Sequence, residues 1–199
     1  MRTVFPKDFP VAGIVANPQR SAIIPSTMLQ CPRGWVRDGG NLDTSMFHIV
    51  LVEPEIPHNT GAAGRLALAT GATLHLVEPL GFSLEDKYLR RTGLDYWKDV
   101  DVRTWPTFDA LCGTAGDDAR FWYLTTKGDT LPWDARFAAG DYLVFGRETR
   151  GLPDAVLDAA PPGHTLRIPM APGGTRSLNL ATAVGITLYE AVRQLAPDW

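Results

Sequence analysis

The sequence is poor in cysteine and has no long apolar run. Its two cysteines among 199 residues, Cys31 and Cys112, form no C-x-x-C pair and are too few for a disulfide scaffold or a structural zinc site. No stretch approaches the roughly 20 consecutive apolar residues of a membrane span, and the N-terminus lacks the apolar run of a secretory signal. These absences predict a cytoplasmic protein with no metal and no membrane partner.

The chain also lacks an excess of positive charge. Lys and Arg number 19 against 22 Asp and Glu, which gives a formal net charge of -3. A nucleic-acid site would therefore depend on a local basic patch rather than on overall charge. The sequence contains no G-x-G-x-x-G after a strand, no G-x-x-x-x-G-K-[ST] and no H-E-x-x-H. The sequence therefore lacks the characteristic motifs of dehydrogenases, P-loop ATPases and zinc hydrolases.

Residues 1–45 differ in composition and hydrophobic pattern from the remainder of the chain. They contain five prolines and show neither a sustained helical period nor strand alternation. We interpret them as an irregular N-terminal appendage, and one simple explanation is that Met46 is the native start. Residues 46–199 are predicted to form the functional domain, because they begin with the apolar run FHIVLV, which is typical of a buried strand.

Strand-like and helix-like segments alternate beyond Met46. Their order predicts an α/β fold with a mostly parallel sheet flanked by helices. The predicted strands are 47–53, 73–78, 121–125, 142–146 and 165–169, and the predicted helices are 60–70, 84–92, 153–159 and 177–195. Parallel sheets bind ligands beyond the carboxyl ends of their strands, so we expect functional residues in the loops after residues 53, 125, 146 and 169.

The loop after the first strand has the sequence EPEIPHNTGAAGR, residues 53–65. Asn59 or Thr60 is predicted to cap a helix whose small first residues let another backbone or a phosphate come close. Arg65 follows about one and a half turns later. A plain capped helix with a solvated arginine is an equally good interpretation of this segment alone.

Two further loops combine glycine with polar residues. In residues 142–153, Gly146 is predicted to end a buried strand where a ligand approaches the backbone, and Glu148 follows. In residues 167–180, a Gly-Gly pair precedes Ser177 and Asn179, either of which can cap the last helix. An ordinary strand-to-helix turn and an ordinary N-cap are the alternatives.

Together these three loops resemble a known family. NTG…R at 59–65, FGRETRGLP at 145–153 and RIPM…RSLNL at 167–180 resemble the three motifs of SPOUT-superfamily RNA 2'-O-ribose methyltransferases. The segments EPEIPHNTG, EPLGF, DKYLRRTGLDYW and LTTKG resemble the members that methylate the wobble nucleotide of tRNA, C or U at position 34. The resemblance covers residues 46–197 and leaves the appendage outside.

The resemblance implies a deep C-terminal trefoil knot, S-adenosylmethionine bound by the knot loops, a homodimer, and the anticodon stem-loop of tRNA as partner. It also implies that Arg65 is catalytic, as a general base or by orienting the ribose and its phosphate. We favour the second role, because a guanidinium has a pKa above about 12. The implied cofactor contacts are Leu124, Gly146, Glu148, Ile168, Met170, Ser177, Leu178 and Asn179.

RNA recognition is expected from local charge and aromatic side chains. The predicted RNA contacts are Asn59, Lys87, Arg90, Arg91, Arg150 and Arg176; Lys127 and Arg147 are expected in the same channel, and Tyr88 and Tyr96 are expected to stack on a flipped base. A solvated side chain is the alternative for each cation. Other functions left open are methylation of ribosomal RNA or of another tRNA position, and a catalytically silent RNA-binding knot protein.

The last predicted helix carries two apolar faces. One consists of Leu180, Val184, Leu188, Ala191 and Leu195, and the other of Ala181, Gly185 and Val192. The first face is expected in the core. The resemblance implies that a partner subunit covers the second.

Overall fold

The computed structural model describes residues 45–84 and 95–196. In this part of the chain, parallel strands form one sheet in the order β3-β2-β1-β5-β4-β6. The strands are β1 (Phe47–Val52), β2 (Thr73–Val77), β3 (Val102–Trp105), β4 (Phe121–Leu124), β5 (Asp141–Phe145) and β6 (Thr165–Leu166). The predicted α/β fold with a parallel sheet is confirmed.

Helices cover both faces of the sheet. They are α1 (Pro57–Thr70), α2 (Phe108–Ala115), α3 (Asp154–Asp158) and α4 (Leu180–Leu195), and a 3-10 helix spans Asp95–Asp99. α1 and α4 pack on one face, whereas α2 and α3 pack on the other. None of the helices in the described ranges has the length and apolar character that crossing a membrane requires.

The burial of β1 explains why five of its six residues are apolar. Every residue of β1 is buried, since the sheet is covered on both faces. Successive side chains point to opposite faces. Ile49 and Leu51 therefore join the cluster under α1 and α4, whereas Val50 and Val52 join the cluster under α2 and α3.

Several predicted boundaries are wrong. Neither β3 nor α2 was predicted. β3 is a short edge strand whose side chains are only partly buried or exposed, so its sequence has no buried-strand pattern. The predicted strand 165–169 is shorter, and β6 ends at Leu166. Residues 85–92 of the predicted helix 84–92 lie outside the described residues.

The helix starts also differ from the prediction. α1 begins at Pro57 after Ile56, which makes no side-chain cap bond, so neither Asn59 nor Thr60 is its cap. A proline suits the first helical position because its missing N–H would have no partner there. α4 begins at Leu180, and Asn179 rather than Ser177 caps it by accepting a hydrogen bond from the Thr182 N–H at 3.2 Å.

The small residues of α1 admit the 3-10 helix. A Cβ added to Gly64 would lie 2.7 Å from Cζ3 of Trp97, so the aromatic ring occupies the space that a side chain would need. The Tyr96 hydroxyl donates a hydrogen bond to the Gly61 carbonyl at 2.9 Å. The expected close approach to this face is therefore made by the aromatic residues of the 3-10 helix.

The first apolar face of α4 is buried as predicted, with one exception. Leu180, Val184, Leu188 and Ala191 belong to the core, whereas Leu195 is 38% exposed. Val192, predicted on the second face, is also buried. The core contacts of α4 therefore end one turn before its C-terminus.

We expect Leu188→Ala to lower the free energy of unfolding by about 2–5 kcal/mol, because it leaves a cavity in the core. Leu195→Ala is the matched control on the same helix, and a loss below about 1 kcal/mol is expected there. Urea denaturation followed by circular dichroism measures both. Equal losses in the two variants would contradict the observed packing of α4.

Candidate active site

A cavity of about 640 Å³ lies beyond the carboxyl ends of β4, β5 and β6. This volume suits a small-molecule ligand. The loops after these strands and the starts of α1 and α4 form its wall. All eight predicted cofactor contacts line it: Leu124, Gly146, Glu148, Ile168, Met170, Ser177, Leu178 and Asn179. The fold therefore brings these positions together, and their role toward a cofactor stays a prediction.

The predicted RNA contacts are distributed differently. Asn59, Arg150 and Arg176 line the cavity, as do Lys127 and Arg147. Lys87, Arg90, Arg91 and Tyr88 lie outside the described residues. Arg65, the predicted catalytic residue, is exposed on α1 and is not part of the cavity wall.

The Glu148 carboxylate joins two of the loops. It accepts hydrogen bonds from the backbone N–H groups of Glu55 at 2.8 Å and Ile56 at 3.2 Å, and from Asn59 Nδ2 at 2.8 Å. Donors to a charged acceptor make strong hydrogen bonds. Glu148 therefore fixes the loop after β5 against the segment that leads into α1.

Asn59 extends this connection to the third loop. Its Oδ1 accepts a hydrogen bond from Asn179 Nδ2 at 2.8 Å, while its own Nδ2 donates to Glu148. Asn59 is only 7% exposed, so its amide is largely committed to protein partners. Asn179, Asn59 and Glu148 thus form one chain of hydrogen bonds across the three motif loops.

Two further contacts between the same loops were missed by the sequence analysis. The Glu55 carboxylate accepts hydrogen bonds from the Thr149 N–H at 3.1 Å and from Thr149 Oγ1 at 2.9 Å. Glu53 and Arg147 form a half-buried ion pair. Arg147 therefore lines the cavity, as expected of a channel residue, but its charge is already paired with Glu53.

Closure of the loop after β5 is a further reason for a glycine at position 146, and the sequence analysis missed it. A Cβ there would lie 2.0 Å from the Gly151 carbonyl carbon and 2.1 Å from the Leu152 nitrogen. Residues 147–151 fold back on themselves, with the Gly151 N–H donating to the Arg147 carbonyl at 2.8 Å. The loop's own backbone thus occupies the space that a side chain at residue 146 would need.

The charged side chains of the cavity wall are mostly basic. They comprise Lys127, Arg147, Arg150 and Arg176 against Glu148 and Asp154. No histidine lies among the described residues that line it. Burial raises the pKa of Tyr123, which packs under α2 and does not line the cavity, to about 12. Within the described ranges, no group of three or more His, Cys, Asp or Glu side chains is placed to hold a metal ion.

A family model supports this reading of the loops. The model of the SpoU rRNA Methylase family matches residues 46–189. The chain belongs to this family. The resemblance to RNA 2'-O-ribose methyltransferases, inferred from the three motifs, is thereby confirmed.

Individual members of the SpoU family are close in sequence. A tRNA (cytidine(34)-2'-O)-methyltransferase of Acidovorax sp. (strain JS42) is 54% identical over 150 residues, which are 75% of this chain and 92% of that protein. A protein of the same name from Polaromonas sp. is 52% identical over 150 residues, 75% of this chain and 91% of that protein.

Solved structures of SpoU-type enzymes share the fold. One that concerns 2-OH methylation of C/U34 on tRNA is 50% identical, has a TM-score of 0.71, and matches 77% of this chain and 98% of its own. The SpoU methyltransferase AviRb from Streptomyces viridochromogenes, in complex with AdoMet, is 28% identical with a TM-score of 0.66. That match covers 76% of this chain and 58% of AviRb.

We expect Gly146→Ala to lower the free energy of unfolding by about 2 kcal/mol or more, because the added methyl overlaps the backbone of Gly151 and Leu152. Gly113→Ala in α2 is the matched control, since its Cβ would meet no atom within 4 Å. That control should be neutral or stabilising by up to about 1 kcal/mol. Urea denaturation compares the two. Unchanged stability in Gly146→Ala would contradict the loop-closure role.

Proposed function

We propose that this protein transfers a methyl group from S-adenosylmethionine to the ribose 2'-hydroxyl of the wobble nucleotide of tRNA, C or U at position 34. One observation carries the proposal: the three motif loops meet around a single cavity in a chain about half identical to tRNA (cytidine(34)-2'-O)-methyltransferases. The match spans 92% and 91% of those two proteins. A ribosomal RNA substrate is the runner-up, because the family description names rRNA.

The cavity wall suits S-adenosylmethionine. Its apolar side chains Leu124, Ile168, Met170 and Leu178 offer surface for an adenine ring, and the glycine-containing loops offer backbone groups. We assign the cofactor to the eight predicted residues that line the cavity. The AviRb complex with AdoMet, at 28% identity, supports this choice.

When bound, S-adenosylmethionine supplies a methyl group on a positively charged sulfur, which makes the thioether a good leaving group. The task left to the protein is alignment, since holding the reacting atoms about 3–3.5 Å apart and in line removes much of the barrier. The hydrogen bonds of Glu148 with Asn59, and of Asn59 with Asn179, keep the cavity wall in place. Arg150 and Arg176 attract RNA phosphates to its exposed side.

Arg65 is the proposed catalytic residue, and it acts by orienting the ribose and its phosphate through its planar N–H donors. It lies outside the cavity wall of its own chain. We therefore propose that the RNA site is shared between two copies. Exposed apolar side chains on α1 and α4 support a homodimer through these helices: Leu68 is 42% exposed, Ile186 38% and Tyr189 45%.

The remaining features of the proposal rest on the family. We propose a deep trefoil knot in the C-terminal part, supported by the SpoU match and by a strand order in which β5 separates β1 from β4. We propose action in the cytoplasm, where tRNA is modified. Residues 1–45 are proposed to be an appendage outside the catalytic unit, since the family match begins at residue 46.

We expect Arg65→Ala to lower the methylation rate by about 100-fold or more with little change in cofactor affinity, because the interaction is used mainly in the transition state. Single-turnover assays on tRNA and calorimetry with S-adenosylmethionine measure the two quantities. Arg136→Ala, which removes another exposed arginine, is the control and should be as active as wild type. A rate of Arg65→Ala within about threefold of wild type would reject the role.

We expect the protein to be a homodimer in solution, with an interface of roughly 1,200 Å² or more. Ile186→Asp should produce a monomer and abolish activity, because it places a charge in the proposed interface. Light scattering at micromolar protein, together with the tRNA assay, checks both expectations. A fully active monomer would overturn the shared site.

A further inference from the structure

The 3-10 helix Asp95–Asp99 carries an aromatic side chain beside the proposed catalytic arginine. The guanidinium carbon of Arg65 lies 4.4 Å from the centroid of the Tyr96 ring. This distance is typical of a cation–π contact, in which the negative face of the ring attracts the cation. Tyr96 follows Arg65 by 31 positions, so the contact exists only because the 3-10 helix docks on α1.

Tyr96 is itself held firmly. Its hydroxyl donates to the Gly61 carbonyl at 2.9 Å, one turn before Arg65 on the same helix. Next to it, Trp97 packs against Gly64, where a Cβ would be only 2.7 Å from the ring. The Tyr96 ring is therefore held to α1 by its hydroxyl, and Trp97 packs the 3-10 helix against the same helix, while Arg65 is exposed.

An aromatic ring and a carboxylate hold a guanidinium differently, and they differ in whether its N–H donors stay available. A carboxylate pairs with the edge of the guanidinium, where the N–H donors are, and offsets its charge. A ring face contacts the plane and leaves the N–H donors at the edge available. Among the described residues, no carboxylate is ion-paired with Arg65.

We infer that Tyr96 is a positioning residue for Arg65: its ring fixes the guanidinium while the N–H donors stay available to the ribose and phosphate of the substrate RNA. This inference rests on the proposed function, which makes Arg65 catalytic. One face of the Tyr96 ring is in contact with Arg65, so the predicted stacking on a flipped base would use the opposite face.

The kinetic test compares Tyr96→Leu, which removes the ring, with Tyr96→Phe, which keeps the ring and removes only the hydroxyl. In single-turnover assays of the full chain at saturating tRNA and S-adenosylmethionine, Tyr96→Leu should be slower by about tenfold or more, and Tyr96→Phe should stay within about threefold of wild type. Cofactor affinity should be unchanged in both.

A double-mutant comparison separates positioning from general structural damage. Adding Tyr96→Leu to Arg65→Ala should slow the reaction less than about twofold further, because the ring then has no cation to place. Glu148→Gln, which alters the cavity wall and does not contact Tyr96, is the control, and its loss should add fully to that of Arg65→Ala. Fully additive losses for Tyr96→Leu would overturn the inference.

A spectroscopic measurement needs no activity. The ring current of Tyr96 should shift the Arg65 side-chain Nε–H resonance upfield in the wild-type protein and in Tyr96→Phe. The resonance is assigned by its disappearance in Arg65→Lys. An unshifted resonance in wild type would overturn the inference even if Tyr96→Leu does not fold.

The outcomes distinguish this inference from the function on which it rests. If Arg65→Lys and Arg65→Ala both keep the wild-type rate, the proposed role of Arg65 fails and the role of Tyr96 fails with it. If the Arg65 variants are impaired but Tyr96→Leu is as active as wild type, only the role of Tyr96 is rejected.

Discussion

The carboxylate of Glu148 holds the loops of the cavity wall together by accepting several hydrogen bonds. Glu148 receives donors from Glu55, Ile56 and Asn59, all in the segment between β1 and α1. A part-buried carboxylate needs such partners, because losing water without replacing its hydrogen bonds is costly. The loop after β5 is thus fixed to the start of α1. The third loop is connected to the other two because Asn179 donates a hydrogen bond to Asn59.

This arrangement depends on the order of strands in the sheet. β1 and β5 are neighbours, with Leu51 opposite Phe145, so the loops that follow them leave the sheet side by side. Their acidic and donor groups then come within hydrogen-bond distance although they are more than 90 positions apart in sequence. The return of the chain over Gly146 completes the wall, because only a residue without a Cβ fits beneath the Gly151 backbone.

α1 contributes to two surfaces at once. Asn59 in its first turn lines the cavity together with Ile56, the residue before the helix. Its second and third turns carry Gly61, Gly64 and Arg65 beside the 3-10 helix. The small residues that make such docking possible cannot contribute much apolar area themselves. The large ring of Trp97, which packs onto Gly64, supplies the apolar area that the small residues do not.

The sequence by itself determined the parallel α/β class, and its resemblance to a known family indicated cavity positions such as Gly146, Ile168 and Asn179. Apolar runs and loop motifs are local patterns, and the carboxyl ends of parallel strands necessarily meet at one edge. The tertiary structure alone decided the partners of these residues. Neither the bond of Asn59 to Glu148 nor the contact of Arg65 with Tyr96 can be read locally. Both depend on which strands and helices become neighbours, which is set by packing of the whole sheet.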